Sequence, residues 1–203
     1  MKKLIIASNN KGKIAEIKKV LNEIKVEVLS LKDIGLDIDV EEDGSTFEEN
    51  AKKKSTEIYN ELIKRGYSNF IVMADDSGLE VEYLNNEPGV LSARYAGEHG
   101  NDKKNNEKLI LSLKGVKYED RKARFVCQLA LIDDKNEYIQ VNGTVEGYIL
   151  EEIKGNDGFG YDPLFFYEPL GKTFAELTIE EKNKISHRGT ALKNLKGIIE
   201  RLV

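Results

Sequence analysis

The sequence predicts an α/β fold on a mixed sheet, and three observations carry that prediction. A short apolar run, Leu4 to Ala7, leads through a polar turn into an amphipathic helical stretch and then a second apolar run, Val26 to Leu29. This is the strand-helix-strand order of parallel pairing. Two more helical stretches, 47–62 and 101–113, alternate with strand-like runs. From Leu79 onward, several such runs are joined by short turns, as antiparallel neighbours are. The 203 residues, 40% of them hydrophobic, suffice for one good core or two lobes sharing one, and a single domain over 1–203 is expected, with no repeat, linker or low-complexity stretch.

In the first unit, Ser8-Asn9-Asn10-Lys11-Gly12 separates the strand from a helix with Ile14, Ile17, Val20 and Leu21 on one face. Such a loop aims its amides and the positive end of the helix dipole at an anion, and Lys13 adds a full charge. The run Ala7 to Ile14 falls short of a P-loop: Ala7 stands where the first Gly belongs and Ile14 where Ser or Thr would meet a metal. An acidic run follows, Asp37, Asp39, Glu41, Glu42 and Asp43, leading into a helix from Thr46, which has capping-box spacing to Glu49. Phe47, Ala51, Ser55, Ile58 and Leu62 keep that helix amphipathic until Gly66. Lys52, Lys53 and Lys54 oppose the dipole in its early turns, so at least one suits a bound anion while the others form a solvated face.

The apolar run Phe70 to Ala74 is predicted to end at Asp75-Asp76-Ser77-Gly78. Two like charges beside a core carry a desolvation cost unless a cation or several donors offset it. Two readings stand for this pair: an ordinary strand-to-turn connection, or a divalent-metal site. Leu79 to Leu84 alternates and turns at Asn85 to Gly89, a predicted hairpin; a helix over 101–113 follows, closed by Gly115. Arg124 to Ile132 is a strand buried on both faces, turned by 133–136 into Tyr138 to Val141, with another strand at Thr144 to Leu150. Gly155 to Pro163 is glycine-dense and carries Phe159, Tyr161 and Asp162, either a stacking platform for a base or a long surface turn, ahead of the strand 164–166. Thr178 and Glu181 cap a further helix through Lys182. Ser186-His187-Arg188-Gly189 then precedes a final helix on Leu192, Leu195, Ile198, Ile199 and Leu202. Lys182, His187 and Arg188 form a donor cluster for phosphate or a purine edge, although a lone histidine is more often structural.

The net charge of −5 argues against a protein that coats nucleic acid electrostatically. The one cysteine, Cys127, sits in an apolar run, reads as a small buried hydrophobe and suits a reducing compartment. No run approaches membrane length and the N-terminal apolar run is too short for a signal peptide, so a cytoplasmic protein without membrane contact is expected. A lipase-type Ser elbow, a zinc-binding Cys/His pattern and a GxGxxG fingerprint are all missing. The remaining set, acids at Glu41 and Asp75-Asp76, bases at Lys13, Lys54, Lys182 and Arg188, and a glycine-aromatic loop, suits a nucleotide polyphosphate with a metal. Phosphoanhydride hydrolysis needs a cation, basic donors and a carboxylate on water, with no covalent nucleophile.

At this point the chain resembles the inosine triphosphate pyrophosphatase family, and most closely its bacterial branch, the dITP/XTP pyrophosphatases. The motifs that carry the resemblance are Ala7 to Lys13, Gly44 to Ala51, Ala74 to Leu79, Pro88-Gly89 with Ser92 to Gly97, Gly158 to Phe165 and Ser186 to Gly189. The resemblance implies an elongated, twisted mixed sheet flanked by helices, in two lobes with the active site in the cleft between them. It implies Mg2+-dependent hydrolysis of ITP, dITP or XTP to the monophosphate and pyrophosphate, by a homodimer. Asp76 matches the catalytic acid, and Glu41 with Asp76 the metal site. Ser8, Asn9, Asn10, Lys11, Gly12 and Lys13 match the phosphate loop, with Ser77 nearby and Lys54 reaching it. Phe159, Gly160, Tyr161, Asp162, Lys182, His187 and Arg188 match the base side, which accepts O6 and rejects a 6-amino group. Ser8-Asn9 stands where the family usually has Thr-Gly, and Asp43 where Thr is common. Two alternatives remain: a regulatory module that binds a nucleotide without chemistry, and a pyrophosphatase for other modified nucleotides.

Overall fold

Alternating β-branched and aromatic runs with amphipathic stretches produce seven strands and five helices in the computed structural model, which describes residues 2–22 and 24–202. In chain order these are β1 (Lys3–Ala7), α1 (Lys11–Leu21), β2 (Glu27–Ser30), α2 (Phe47–Lys64), β3 (Phe70–Val81), α3 (Asp102–Ser112), β4 (Lys122–Asp133), β5 (Tyr138–Ile149), β6 (Phe165–Tyr167), β7 (Lys172–Thr173), α4 (Ile179–Ile185) and α5 (His187–Leu202). The strands form one sheet in the order β2-β1-β3-β4-β5-β6-β7. β1 pairs parallel with both β2 and β3, through Ile5 opposite Leu29 and Val72, whereas β6 pairs antiparallel with β5 and β7. The sheet is therefore mixed, as the turn lengths required.

The chain divides into two compact units, one of Met1–Asp76, Cys127–Gly143 and Arg188–Val203, the other of Ser77–Val126 and Thr144–His187. In the first, strand alternation sends Leu4, Ile6, Ile71 and Met73 toward α1 and α5, where Ile17, Leu21, Leu192, Leu195 and Ile199 are buried. Ile5, Ala7, Val72 and Ala74 point the other way, against Ile58 and Leu62 of α2. Each fully buried Ile or Leu contributes about 1.5–3 kcal/mol by leaving water. The second unit closes on Leu79, Leu109, Leu113, Phe125, Phe165 and Phe174.

Four local expectations are revised. The strand through Phe70 does not stop at the acids: β3 runs on to Val81 with Asp75 and Asp76 inside it, and ion pairs described below offset the burial of Asp75. The expected hairpin at Leu79 to Gly89 shrinks to one isolated bridge, Glu80 with Pro88, since Glu82–Leu84 coils into a 3-10 turn. Tyr138–Ile149 makes one strand where two were expected. His187 and Arg188 open α5 instead of preceding it. Of the two expected capping boxes, the one at α4 forms in full and the one at α2 only in half. Thr178 and Glu181 exchange bonds of 3.2 and 2.8 Å, whereas at α2 Thr46 caps the Glu49 amide at 3.1 Å but the Glu49 carboxylate reaches back to Ser45.

Candidate active site

In the first unit, the loop after β1 is shaped by its own side chains. The Asn10 side-chain oxygen caps α1 by accepting from the Lys13 backbone amide at 3.0 Å, and the Ser8 hydroxyl accepts from the Asn10 backbone amide at 3.2 Å. Asn9 donates its side-chain amide to the Ile38 carbonyl at 3.2 Å, tying the loop to the acidic run. Lys11 and Gly12 form the first turn of α1, so Lys13 projects from the helix start and meets Asp75 at 2.7 Å.

Adjacent residues of a strand face opposite ways, and this separates the two acids. Asp75 lies on the side of Met73, in a layer of charge: the Arg188 guanidinium donates to it at 2.7 and 3.4 Å and also pairs with Glu16. Burial works against the Asp75 carboxylate, but Arg188 and Lys13 outweigh it and hold it well below the usual carboxylate range. Lys13 is likewise raised, burial opposing and Asp75 prevailing. Cys127 sits beside Asp75 at 3.3 Å, its thiol pushed well up by burial and then by that charge, so it is inert as a nucleophile.

Asp76 falls on the side of Ala74, toward α2. Burial raises its carboxyl to about 6; Lys13 and Lys54 pull it down, the Glu42 charge pushes it up, and the polar Asn50 side chain pulls it down again. Lys54 links these groups, pairing with Glu42 and donating to the Asp75 carbonyl at 3.1 Å. The Lys13 and Lys54 side chains keep 14% and 13% of their surface, so both can meet a solute, whereas Arg188 at 1% is enclosed.

The second unit holds the glycine-aromatic loop. Lys182, buried on the capped helix α4, pairs with Asp162 at 2.5 Å and lies 4.7 Å from the Phe159 ring centre. The Phe159 amide donates to the same Asp162 oxygen at 2.9 Å, and a Cβ on Gly158 would stand 2.2 Å from that oxygen, so only glycine fits there. His187 is buried and stacks on Phe125 at 4.7 Å between centroids, while the Tyr161 hydroxyl donates to the Ser92 carbonyl at 2.8 Å. Ser77, at the start of this unit, is half-buried in β3.

A model of the Ham1 family matches residues 4–198. The chain belongs to the Ham1 family. A dITP/XTP pyrophosphatase of Clostridium perfringens is 59% identical over 204 residues, spanning 98% of this chain and 100% of that protein. A dITP/XTP pyrophosphatase of Clostridium tetani is 51% identical across 97% of this chain and 95% of its own. Among solved structures, the Staphylococcus aureus Ham1 protein matches at a TM-score of 0.83 and 45% identity, with 98% of each chain covered. The family resemblance drawn from the motifs therefore stands.

Within this Ham1 chain, Ser8 to Lys13, Lys54 and Asp76 are brought together as the sequence suggests, and so are Phe159 to Asp162 with Lys182. Glu41 is different. It is exposed and its charge acts on Lys53, whereas the acid acting on Asp76 is the next residue, Glu42. Three contributors are not singled out by the sequence: Glu42, named only as a member of the acidic run, Glu16 and Asn50. The signal for the last two was a polar residue on an otherwise apolar helix face, Glu16 next to Ile17 and Asn50 next to Ala51, both buried.

Proposed function

We propose that this chain hydrolyses nonstandard purine nucleoside triphosphates, ITP, dITP and XTP, to the nucleoside monophosphate and pyrophosphate. The observation that carries the reading is Asp76, a buried carboxyl raised to about 6 beside two partly exposed lysines at the phosphate-type loop. That value is the metal-free one; a cation on the same carboxylate would lower it, so Asp76 would work chiefly by placing the water, accepting its proton as the P–O bond forms. The loop amides of 8–13, Lys13 and Lys54 bind and orient the triphosphate, and Asp76 accepts the proton of the water that attacks the α-phosphorus, so pyrophosphate leaves whole. Lys13 enters from its ion pair with Asp75, which Arg188 and Glu16 fix in turn, so Arg188 aligns the phosphate lysine through Asp75 as well as standing next to His187.

Two neighbouring carboxylates, Asp76 and Glu42, fit Mg2+, a hard cation that commonly takes one or two carboxylates and completes its shell with phosphate and water. Among the described residues no group of three or more His, Cys, Asp or Glu side chains is placed for a metal, which suits an ion held jointly with substrate. The bound ion would supply charge neutralisation on the phosphates. Asp76 with Glu42 would hold it, and Glu41 lies one residue outside that pair. Glu41→Gln and Glu42→Gln separate the two acids: the true ligand's variant needs more Mg2+ for half-maximal rate, and the other variant does not.

Phe159 offers a ring to the base, and Lys182, His187 and the loop amides offer donors to O6. A site built of donors leaves them unpaired against a 6-amino group, so ATP turnover should fall at least about 100-fold below ITP turnover. A panel of ITP, XTP, GTP, ATP and dUTP, read by pyrophosphate release, tests this. Equal rates on ITP and ATP refute the specificity, and orthophosphate in place of pyrophosphate refutes attack at the α-phosphorus. We read 1–203 as one functional domain acting as a homodimer, without nucleic-acid or membrane partners. No helix among the described residues is long and apolar enough to cross a membrane.

A further inference from the structure

The base loop is held at one residue by helix α3, an element to which no part of the reaction has been assigned. The Gly160 amide donates to the Asp102 carboxylate at 2.7 Å, and the Gly160 carbonyl accepts from the Asn106 side-chain amide at 2.8 Å. Asp102 and Asn106 are one turn apart on α3, so a single helical face grips both polar groups of a single residue. Gly160 has φ +61°, a left-handed conformation that leaves the loop no regular ladder to lean on. Its two neighbours are the rings Phe159 and Tyr161.

Asn106 is 4% exposed, and its amide also donates to the Asp102 carbonyl at 2.8 Å. Only an NH2 group can serve two carbonyls, so the side chain's orientation is fixed by the network. Its oxygen then lies buried with no hydrogen-bond partner among the described residues. A buried acceptor left in that state costs stability that a leucine at the same place would not incur. What the asparagine supplies in return is the bond to Gly160. The same helix reaches the loop by a second route. Asn105 donates to the Ser92 carbonyl at 3.4 Å and accepts from the Ala96 amide at 2.8 Å, and the Tyr161 hydroxyl rests on that same Ser92 carbonyl.

We infer that Asp102 and Asn106 are positioning residues for purine recognition, clamping Gly160 so that the Phe159 ring is presented to the base in one orientation. This rests on the reading of 159–162 as the base loop. The clamp acts on binding of a part of the substrate remote from the reacting phosphorus, so its loss raises KM and leaves kcat in place. A merely structural role would lower the active fraction, hence apparent kcat, with KM unchanged.

The test measures ITP and ATP kinetics of the full chain with Mg2+ for Asn106→Leu, Asp102→Ala, Asp102→Asn and Phe159→Ala, together with the Gly160 amide in a 15N spectrum. Asn106→Leu and Asp102→Ala should each raise KM for ITP by about tenfold with kcat within about twofold, the scale of one lost hydrogen bond. Asp102→Asn keeps an acceptor oxygen and should return KM to within about threefold of the parent. Asp102→Ala, unlike Asp102→Asn, should expose the Gly160 amide to rapid exchange. An unchanged KM in both Asn106→Leu and Asp102→Ala, a kcat-only loss, or failure of Asp102→Asn to rescue overturns the inference. If Phe159→Ala raises KM while the clamp variants do not, the clamp alone is wrong. If Phe159→Ala changes nothing and ITP and ATP react alike, the base-loop reading falls and takes the clamp with it.

Discussion

Asp76 shows what the site costs the fold. Its folded value of about 6 exceeds the ordinary 3.8, so the folded chain holds this proton more tightly than the unfolded chain does. Stability therefore falls as pH rises from about 4 to about 6, and above that the full penalty of about 3 kcal/mol applies. Asp76→Asn escapes it. In metal-free protein that variant should melt higher than the parent at pH 7.5 and no differently near pH 4, while its ITP hydrolysis falls by about 100- to 10,000-fold. A lower melting temperature at pH 7.5, read by calorimetry in chelator, refutes the account. Asp75 behaves in the opposite way. Asp75→Ala leaves the enclosed Arg188 paired with Glu16 and takes a partner from Lys13, and it should cost about 3–5 kcal/mol in urea unfolding, far more than a surface pair, because the charges it abandons are buried.

At the scale of elements, the helices and most strands could be read from periodicity, and the caps from spacing: Thr178 with Glu181 forms the box its sequence promises. Thr178→Ala should lower stability by about 1 kcal/mol, and a change below about 0.3 kcal/mol in denaturant titration would show that the cap is dispensable. What periodicity missed was β3. Two acids after an apolar run look like a terminus, because the partners of Asp75, Arg188 and Lys13, are remote in sequence and leave no local mark there. Once the strand runs through, alternation alone gives the acids different neighbours and different work. The same blindness hid Glu42 behind Glu41: an acidic run has no period, so which member turns toward Asp76 is decided by contacts that the run itself does not encode. The motifs Ser8 to Lys13 and Phe159 to Asp162 were legible because each is contiguous and shaped by bonds among near neighbours.

At the scale of the molecule, the proposed substrate's two chemistries are met by two sets of residues in separate compact units. Inorganic triphosphate with Mg2+ should slow amide exchange at 8–13 without doing so at 158–162, and inosine should do the reverse. Protection of the same segment by both ligands would contradict that division. The expected dimer should scatter light as twice 22.9 kDa. The units are also interleaved along the chain, and this has a temporal meaning. The Ser77–Val126 and Thr144–His187 unit is complete in sequence as soon as His187 has been made, whereas the unit that starts at the N-terminus still lacks Arg188 and the leucines of α5. On the ribosome, β1 must therefore wait for α5, and Asp75 meets its guanidinium only after 113 further residues have been made.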